Sequence, residues 1–351
     1  MFRLSTRSAL LLLLIGPSVC AFAQQLPPIE PPAPLPQATA PSSSTATFRV
    51  NSDIVLVPTL VEQKNGDVVY TLGAKDFRLT DNGVPQKIRV DDNMDTTPVS
   101  MVVCVQTGRT SPLEFDKIEQ GLAPLLNLFL GTGNGRVSLV EFDSQVEFQG
   151  DWTSDTDVVQ RDLEHTQEGD GGAALLDAAG YSIEQLERQP ANRRRILLLI
   201  SESRDHGSKH VTPKALAEQV GASNTLVLSL TWSPAKAEYL EQLTHPGSGG
   251  GLNILELLHL AANAMKANAA KTLATMSGGE AMSFTTEHGF EDRISEMASH
   301  ARNRYVLSFR PTDLSPGLHS LKVSLATDVP AQVVARTNYW AGNTNTNPEQ
   351  K

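Results

Sequence analysis

Cysteine is almost missing from this chain, with two in 351 residues. Cys20 falls in an apolar leader, so Cys104 stands alone afterwards and no intramolecular disulfide is available to the mature protein. Cys104 lies in the apolar run Met101–Val105, where a buried, inert thiol is expected. Aromatic residues are scarce (5%) and the formal net charge is −10. The one basic run, Asn192–Arg195, sits just before the apolar segment Ile196–Ile200 and reads as charged residues at a strand's entry. An acidic, aromatic-poor chain of this kind is unsuited to a phosphate backbone, so nucleic acid is not an expected partner. After residue 23 no run is long and charge-free enough to span a bilayer, so no transmembrane segment is expected once the leader is removed.

The usual signatures of hydrolytic and nucleotide chemistry are also missing. There is no HExxH, no GxSxG and no P-loop. Ser233–Lys236 matches Ser-x-x-Lys, but the companion Ser-Asp-Asn and Lys-Thr-Gly motifs are absent, and the match reads as chance. His206 and His210 have i,i+4 spacing but lie in a Gly/Ser-containing loop, where solvated histidines are expected. Asp143 and Asp177 suggest paired carboxylates, but both fall at positions that the family resemblance given below ties to the fold. No catalytic residue is assigned, and the chain is expected not to be an enzyme.

What is present divides the chain into blocks. Arg3 and Arg7 precede the apolar stretch at 9–16, and Ala21–Ala23 is a small-x-small site, which together read as a secretory signal peptide over 1–23. Losing it removes two arginines and no acids, which moves the formal charge from −10 to −12. The residues before Cys20 fit a lipidation site poorly. Residues 24–46 are rich in Pro, Gln, Ser and Ala and read as an extended linker. Residues 47–93 carry short alternating segments parted by the turn signals Asn65–Asp67 and Asp81–Gly83, a small antiparallel β unit.

From 97 to 303 apolar strands alternate with amphipathic helices, the pattern of a mostly parallel sheet covered on both faces. Strands are expected at Val99–Val105, Arg136–Phe142, Arg195–Ser201, Asn224–Trp232 and 280–286. After the first strand, Phe115, Ile118, Leu122, Leu125, Leu126 and Phe129 fall on one helical face, behind a helix start at Ser111, Pro112 and Glu114. Further helices are expected over 171–188, 213–222, 252–276 and 289–303. Strands return over 304–342, with the expectation that they pair with 47–93 so that the α/β domain is inserted in one small β-sandwich. Residues 343–351 read as a polar, disordered tail.

Several of these segments resemble the von Willebrand factor type A-related domain of secreted acidobacterial-type proteins. They are Gly73–Ile88, Arg136–Asp155, Gly171–Ala178 (Gly-Gly-Ala-Ala-Leu-Leu-Asp-Ala), Arg193–Ser208, Leu273–Phe284, Ala298–Pro311 and the closing strands from His319. The resemblance spans roughly residues 48–341. It implies a Rossmann-like α/β fold with a metal-ion-dependent adhesion site at the C-terminal strand ends. There Asp-x-Ser-x-Ser, a distant Thr and a distant Asp hold Mg²⁺ or Mn²⁺, and a partner's carboxylate completes the shell. This chain departs at every one of those positions: Gln106, Gly108, Thr110, Ala173 and Glu202 stand in them. Gly108 and Ala173 have no side-chain oxygen and Gln106 is neutral, while Mg²⁺ demands near-ideal oxygen geometry. The site therefore reads as degenerate, with no metal and no cofactor expected. The alternative is a set of rewired ligands, Asp170, Glu202 and Asp205, still holding Mg²⁺ or Mn²⁺.

The function expected from the resemblance is that of a secreted or periplasmic, non-enzymatic protein-binding module, adhesion-like and acting through the strand-end face without a bridging metal. Thr107, Arg109, Thr110, Asp170, Glu202 and Asp205 are its candidate partner-binding residues, with Arg109 foremost because a guanidinium can meet an acidic group directly. The alternative is a structural component of an envelope assembly, bound through the β unit or the Leu/Ala/Met-rich helix at 252–276. If the leader reading holds, intact mass of the exported protein will show an N-terminus at Gln24 and no acyl chain. A diacylglycerol mass on Cys20 would make it a lipoprotein instead.

Overall fold

The computed structural model describes residues 54–91, 97–107, 122–131, 134–166, 169–232, 254–327 and 330–342. The leader, the linker and the tail lie outside them.

The centre of the molecule is a six-stranded sheet. Its strands are β5 (Val99–Gln106), β6 (Arg136–Phe142), β7 (Val146–Thr153), β8 (Arg194–Ser201), β9 (Thr225–Trp232) and β10 (Ala281–Phe284), in the order β10-β9-β8-β5-β6-β7. All neighbours run parallel except the β6–β7 hairpin at one edge. The reason is visible in β5. Successive side chains on a strand point to opposite faces, and here both sets are apolar. Met101, Val103 and Val105 enter one core while Val102 and Cys104 enter the other. A strand apolar on both faces must be covered on both.

One layer is the helix over 122–130 (α1), α2 (Thr156–Glu164) and α7 (Glu287–Arg302). Leu122, Leu126, Phe129, Val159, Leu163, Phe290, Ile294 and Met297 pack from it. The opposite layer is α3 (Leu175–Glu187), α4 (Pro213–Ala222), α5 (Ile254–Ala267) and α6 (Ala269–Ser277). The α/β class expected from the alternating pattern is the class observed. Cys104 is fully buried and desolvation pushes its thiol up to about 12.

The structure corrects the sequence reading at three places. The expected single helix over 252–276 is two helices, because Asn268 is extended and its side chain accepts from Lys271 N, capping a fresh start. The strand β7 and the helix α2 were not anticipated, although Asp155 caps α2 by accepting from Asp157 N. The basic run does more than mark a strand's entry. Arg193 donates to Val99 O and Ser100 Oγ at the start of β5, while Arg194 donates to Ala301 O and Arg195 to Glu187 O and Gln189 O, satisfying carbonyls at the ends of α7 and α3. Among the described residues no helix is long and apolar enough to cross a membrane.

Two four-stranded antiparallel sheets pack face to face beside this domain. One has the order β13-β1-β11-β4 and the other β14-β12-β2-β3. Their strands are β1 (Val55–Gln63), β2 (Phe77–Asp81), β3 (Val84–Pro85), β4 (Ile88–Asp91), β11 (Tyr305–Phe309), β12 (Gly317–Leu325), β13 (Ala331–Ala335) and β14 (Asn338–Ala341). Strands that precede the α/β domain thus pair with strands that follow it: β1 with β11 and β13, and β2 with β12. Val57, Val61, Phe77, Leu79, Leu307, Phe309, Leu321 and Tyr339 fill the space between the sheets. At the β2–β3 turn Asn82 and Gly83 both have positive φ (47° and 84°), the geometry of a two-residue hairpin loop.

One side chain ties the sandwich to the α/β domain. Arg336, fully buried, lies between β13 and β14. It donates to Gly221 O (2.6 Å) and Ser223 O (3.0 Å) at the end of α4, to Asn224 Oδ1 (3.2 Å), to Leu56 O on β1 (3.0 Å) and to Asn338 O (2.8 Å). No carboxylate is among these partners, and burial lowers its guanidinium to about 10. The partly negative end of α4 supplies what an acid would otherwise supply. Beside it Gly278, at φ +83°, leaves no room for a side chain: a Cβ there would sit 2.5 Å from Arg336 N and 2.8 Å from Pro58 O. Replacing the guanidinium leaves several buried carbonyls without donors, each costing about 1–3 kcal/mol. Arg336→Met is expected to lower the unfolding free energy by about 3 kcal/mol or more in urea denaturation, and Arg336→Lys to recover only part of that loss.

Candidate functional site at the strand ends

The parallel strands end together on one edge of the central sheet. Moving along the chain, β5 is followed by β6 on one side and β8 lies on the other, so the order reverses at β5. Crevices at such reversals, beyond the C-terminal strand ends, are where open α/β sheets hold ligands. Gln106 is the last residue of β5 and Glu202 follows the last residue of β8.

These two residues bind each other. Gln106 Nε2 donates to Glu202 Oε1 at 2.7 Å, and Gln106 Oε1 accepts from Glu202 N at 2.9 Å. The same Nε2 approaches Gly172 O at 3.3 Å. His206 Nε2 lies 2.7 Å from Glu202 Oε1, with 47% of the histidine side chain exposed. An amide can donate and accept at once, so Gln106 closes a ring with one neighbour that an aspartate could not form. His206, read from sequence as a solvated loop residue, therefore belongs to this network. Its i+4 spacing from Glu202 was the available signal.

The loop before α3 completes the face. Asp170 is exposed. Its carboxylate accepts from Gly172 N (2.8 Å), Ser144 N (3.2 Å) and the Ser144 hydroxyl. The Ser144 hydroxyl, first among these, holds the Asp170 carboxyl below its ordinary range, so it stays anionic at neutral pH. Asp143 accepts from Asp170 N (3.0 Å) and Gln145 N (2.8 Å). Gly172 is required here, because a Cβ would fall 2.7 Å from Ser144 N. Ala173 is fully buried, and its backbone pairs with His206 and Gly207.

The remaining candidates are placed differently. Asp205 Oδ1 accepts from Leu176 N (3.1 Å) at the start of α3 and from Ser208 Oγ (2.5 Å), which makes it a helix-start ligand rather than a free acid. Asp177 accepts from the backbone N–H groups of Lys209, His210 and Val211, fixing the loop after β8. Thr107 donates its hydroxyl to Phe142 O (3.3 Å) and accepts at its own carbonyl from Gly169 N (2.7 Å). Asp170, Glu202 and Asp205 thus each answer to a different donor. Gly108, Arg109 and Thr110 lie outside the described residues. Gln106→Leu, which removes one acceptor from Glu202 N and one donor from its carboxylate, is expected to cost about 1–3 kcal/mol in chemical denaturation.

Residues 100–204, from β5 to the loop after β8, match the family model described as von Willebrand factor type A domain. Solved structures of similar fold include three bacterial proteins. One is an aerotolerance-related membrane protein from Bacteroides fragilis (15% identity, 57% of this chain and 98% of that one, TM-score 0.39). Another is the von Willebrand factor domain of the type V pili tip protein Mfa5 from Porphyromonas gingivalis (10%, 58% and 95%, TM-score 0.41). The third is a von Willebrand factor type A protein from Catenulispora acidiphila (9%, 85% and 76%, TM-score 0.40). No curated protein matches the chain.

Proposed function

The chain carries a von Willebrand factor type A domain, and from that premise we propose that it is a secreted or periplasmic, non-enzymatic protein-binding module. It engages its partner through the strand-end face without a bridging metal. The observation that carries this reading is the reciprocal pair between Gln106 and Glu202.

A hard divalent cation needs several oxygens at near-ideal geometry. In the positions that correspond to the family's ligands, Ala173 brings no side-chain oxygen, and Gln106 presents N–H to Glu202 instead of a lone pair to a cation. One oxygen of Glu202 already faces both Gln106 and His206. The donor set present therefore does not fit Mg²⁺. What the face offers a partner among the described residues is the exposed carboxylate of Asp170, the half-exposed imidazole of His206, and Thr107. Such groups recognise polar and charged surfaces by direct hydrogen bonds.

A cation held at 100 times its dissociation constant adds about 2.7 kcal/mol to stability. The wild-type protein is expected to show no thermal shift with millimolar Mg²⁺. The combined change Gln106→Asp, Gly108→Ser, Thr110→Ser, Ala173→Thr and Glu202→Asp is expected to create one. A wild-type Mg²⁺ shift that Glu202→Gln removes would overturn the metal-free reading. In pull-downs from envelope extract, capture should survive EDTA and fall with Asp170→Asn and His206→Ala. Capture lost to EDTA, or indifferent to both variants, would overturn the face assignment.

A further inference from the structure

We propose that Glu62, Glu280 and His300 bind a divalent metal of the zinc class, which fastens the β-sandwich to the α/β domain. The site stands on other residues than the strand-end face and does not depend on that reading. Its three residues come from three separate segments. Glu62 is near the end of β1 in the sandwich, Glu280 immediately precedes β10, and His300 is in the last turn of α7. One ligand atom from each lies within 4.8 Å of the others. His300 Nδ1 is 2.9 Å from Glu280 Oε1, the length of a hydrogen bond; a tetrahedral ion with ligands about 2.1 Å away holds two such atoms about 3.4 Å apart, so binding widens this contact by about 0.5 Å. His300 is 4% exposed and the Glu280 side chain 10%. Glu62 is less buried and stands on the open side.

Two observations show that the protein's own groups leave this cluster incomplete. Among the described residues the Glu62 carboxylate is met by nearby charges but by no hydrogen-bond donor, and burial first, then the charge of Glu280, push its carboxyl up. Arg304, fully buried, donates Nη2 to Glu280 Oε2 and thereby leaves Oε1 facing His300. Its Nε and Nη1 have no acceptor among the described residues. Buried guanidinium donors are rarely left unmet. A metal held by three protein ligands takes a water or hydroxide as its fourth, and under this proposal that oxygen accepts from one of the two unmet Arg304 donors. The arginine then serves as the outer group that orients a ligating carboxylate. Two carboxylates with one imidazole favour zinc over magnesium or calcium. A proton on His300 is the competing positive charge, and the metal displaces it.

The test uses the mature chain, stripped with EDTA and dialysed, then titrated with zinc chloride near neutral pH. Calorimetry is expected to give one equivalent bound, and the melting temperature is expected to rise by about 5 °C at a hundredfold excess over the dissociation constant. Glu62→Gln, nearly isosteric and on the open side, and His300→Gln should each weaken zinc at least tenfold. Glu202→Gln and His206→Ala should leave it unchanged, which separates this site from the strand-end face. Three results would overturn the proposal. They are no zinc response in the wild type, a response that survives Glu62→Gln, and a response abolished by His206→Ala. If His300→Gln fails to fold, Glu62→Gln decides alone.

Discussion

Arg336 is the constraint on which the arrangement of this protein rests. A fully buried guanidinium is costly unless every donor is met, and here it is met by carbonyls from three elements that are far apart in sequence. Gly221 and Ser223 belong to the end of α4, Leu56 to β1 and Asn338 to β14. None of these oxygens can be satisfied by the same group unless the sandwich is seated on the helical layer. Apolar packing alone would not fix that seat, because it is non-directional. Leu318 and Trp340 bury themselves against α4 and α5, while Arg336 sets the register in which they do so. Gly278 completes the fit by letting the α6 terminus reach the Arg336 backbone.

With the scaffold fixed, the strand-end face is built from short-range bonds between loops. Asp143, Asp170 and Gly172 lock the loop before α3, and Asp177 and Asp205 lock the loop after β8. Gln106 joins the two loop systems through Glu202 and Gly172. An aspartate in its place would put two carboxylates about a hydrogen-bond length apart, which needs a cation or a proton between them. The amide removes that need. The loops are tied to each other by the protein's own groups.

The sequence announced the α/β class because its evidence is periodic and local. Apolar strands such as β5 bury both faces, and the helical stripe through Leu122, Leu126 and Phe129 is read directly from spacing. The break at Asn268 was equally local and was overlooked because the apolar pattern runs on through it. Only the cap, an asparagine accepting from Lys271 N, gives it away. The site was legible as a set of positions, since the family resemblance marks 106, 173 and 202 and the residue types there depart from its ligand pattern. It was not legible as a network. Gln106 and Glu202 are 96 residues apart, and nothing in either segment says that an amide and a carboxylate will meet. Arg336 was invisible for a related reason. Apart from Asn224 Oδ1 its partners are backbone carbonyls, which every residue has, so no charged partner marks the pairing.

A bridging metal and a closed amide–carboxylate pair lead to different kinds of interface. An open coordination position concentrates recognition in one short bond, and a single acidic group on the partner suffices to find it. The Gln106–Glu202 pair has no open position, because its strongest donor and acceptor are spent on each other. In the function proposed above, affinity through this face is therefore distributed over area and over exposed groups such as Asp170 and His206. Exposed charges of that kind contribute chiefly to orientation and to the rate of encounter. Tight binding then requires a partner surface of ordinary interface size, about 800 Å² a side, that fits the loops closely. Rigid loops reduce the ordering entropy of such an interface, and the dense hydrogen bonding around Asp143, Asp170 and Asp177 supplies that rigidity. In that proposal, loss of ligand chemistry and retention of loop bonding are compatible: the first removes a one-bond mode of recognition, and the second preserves a shaped surface for a broader one.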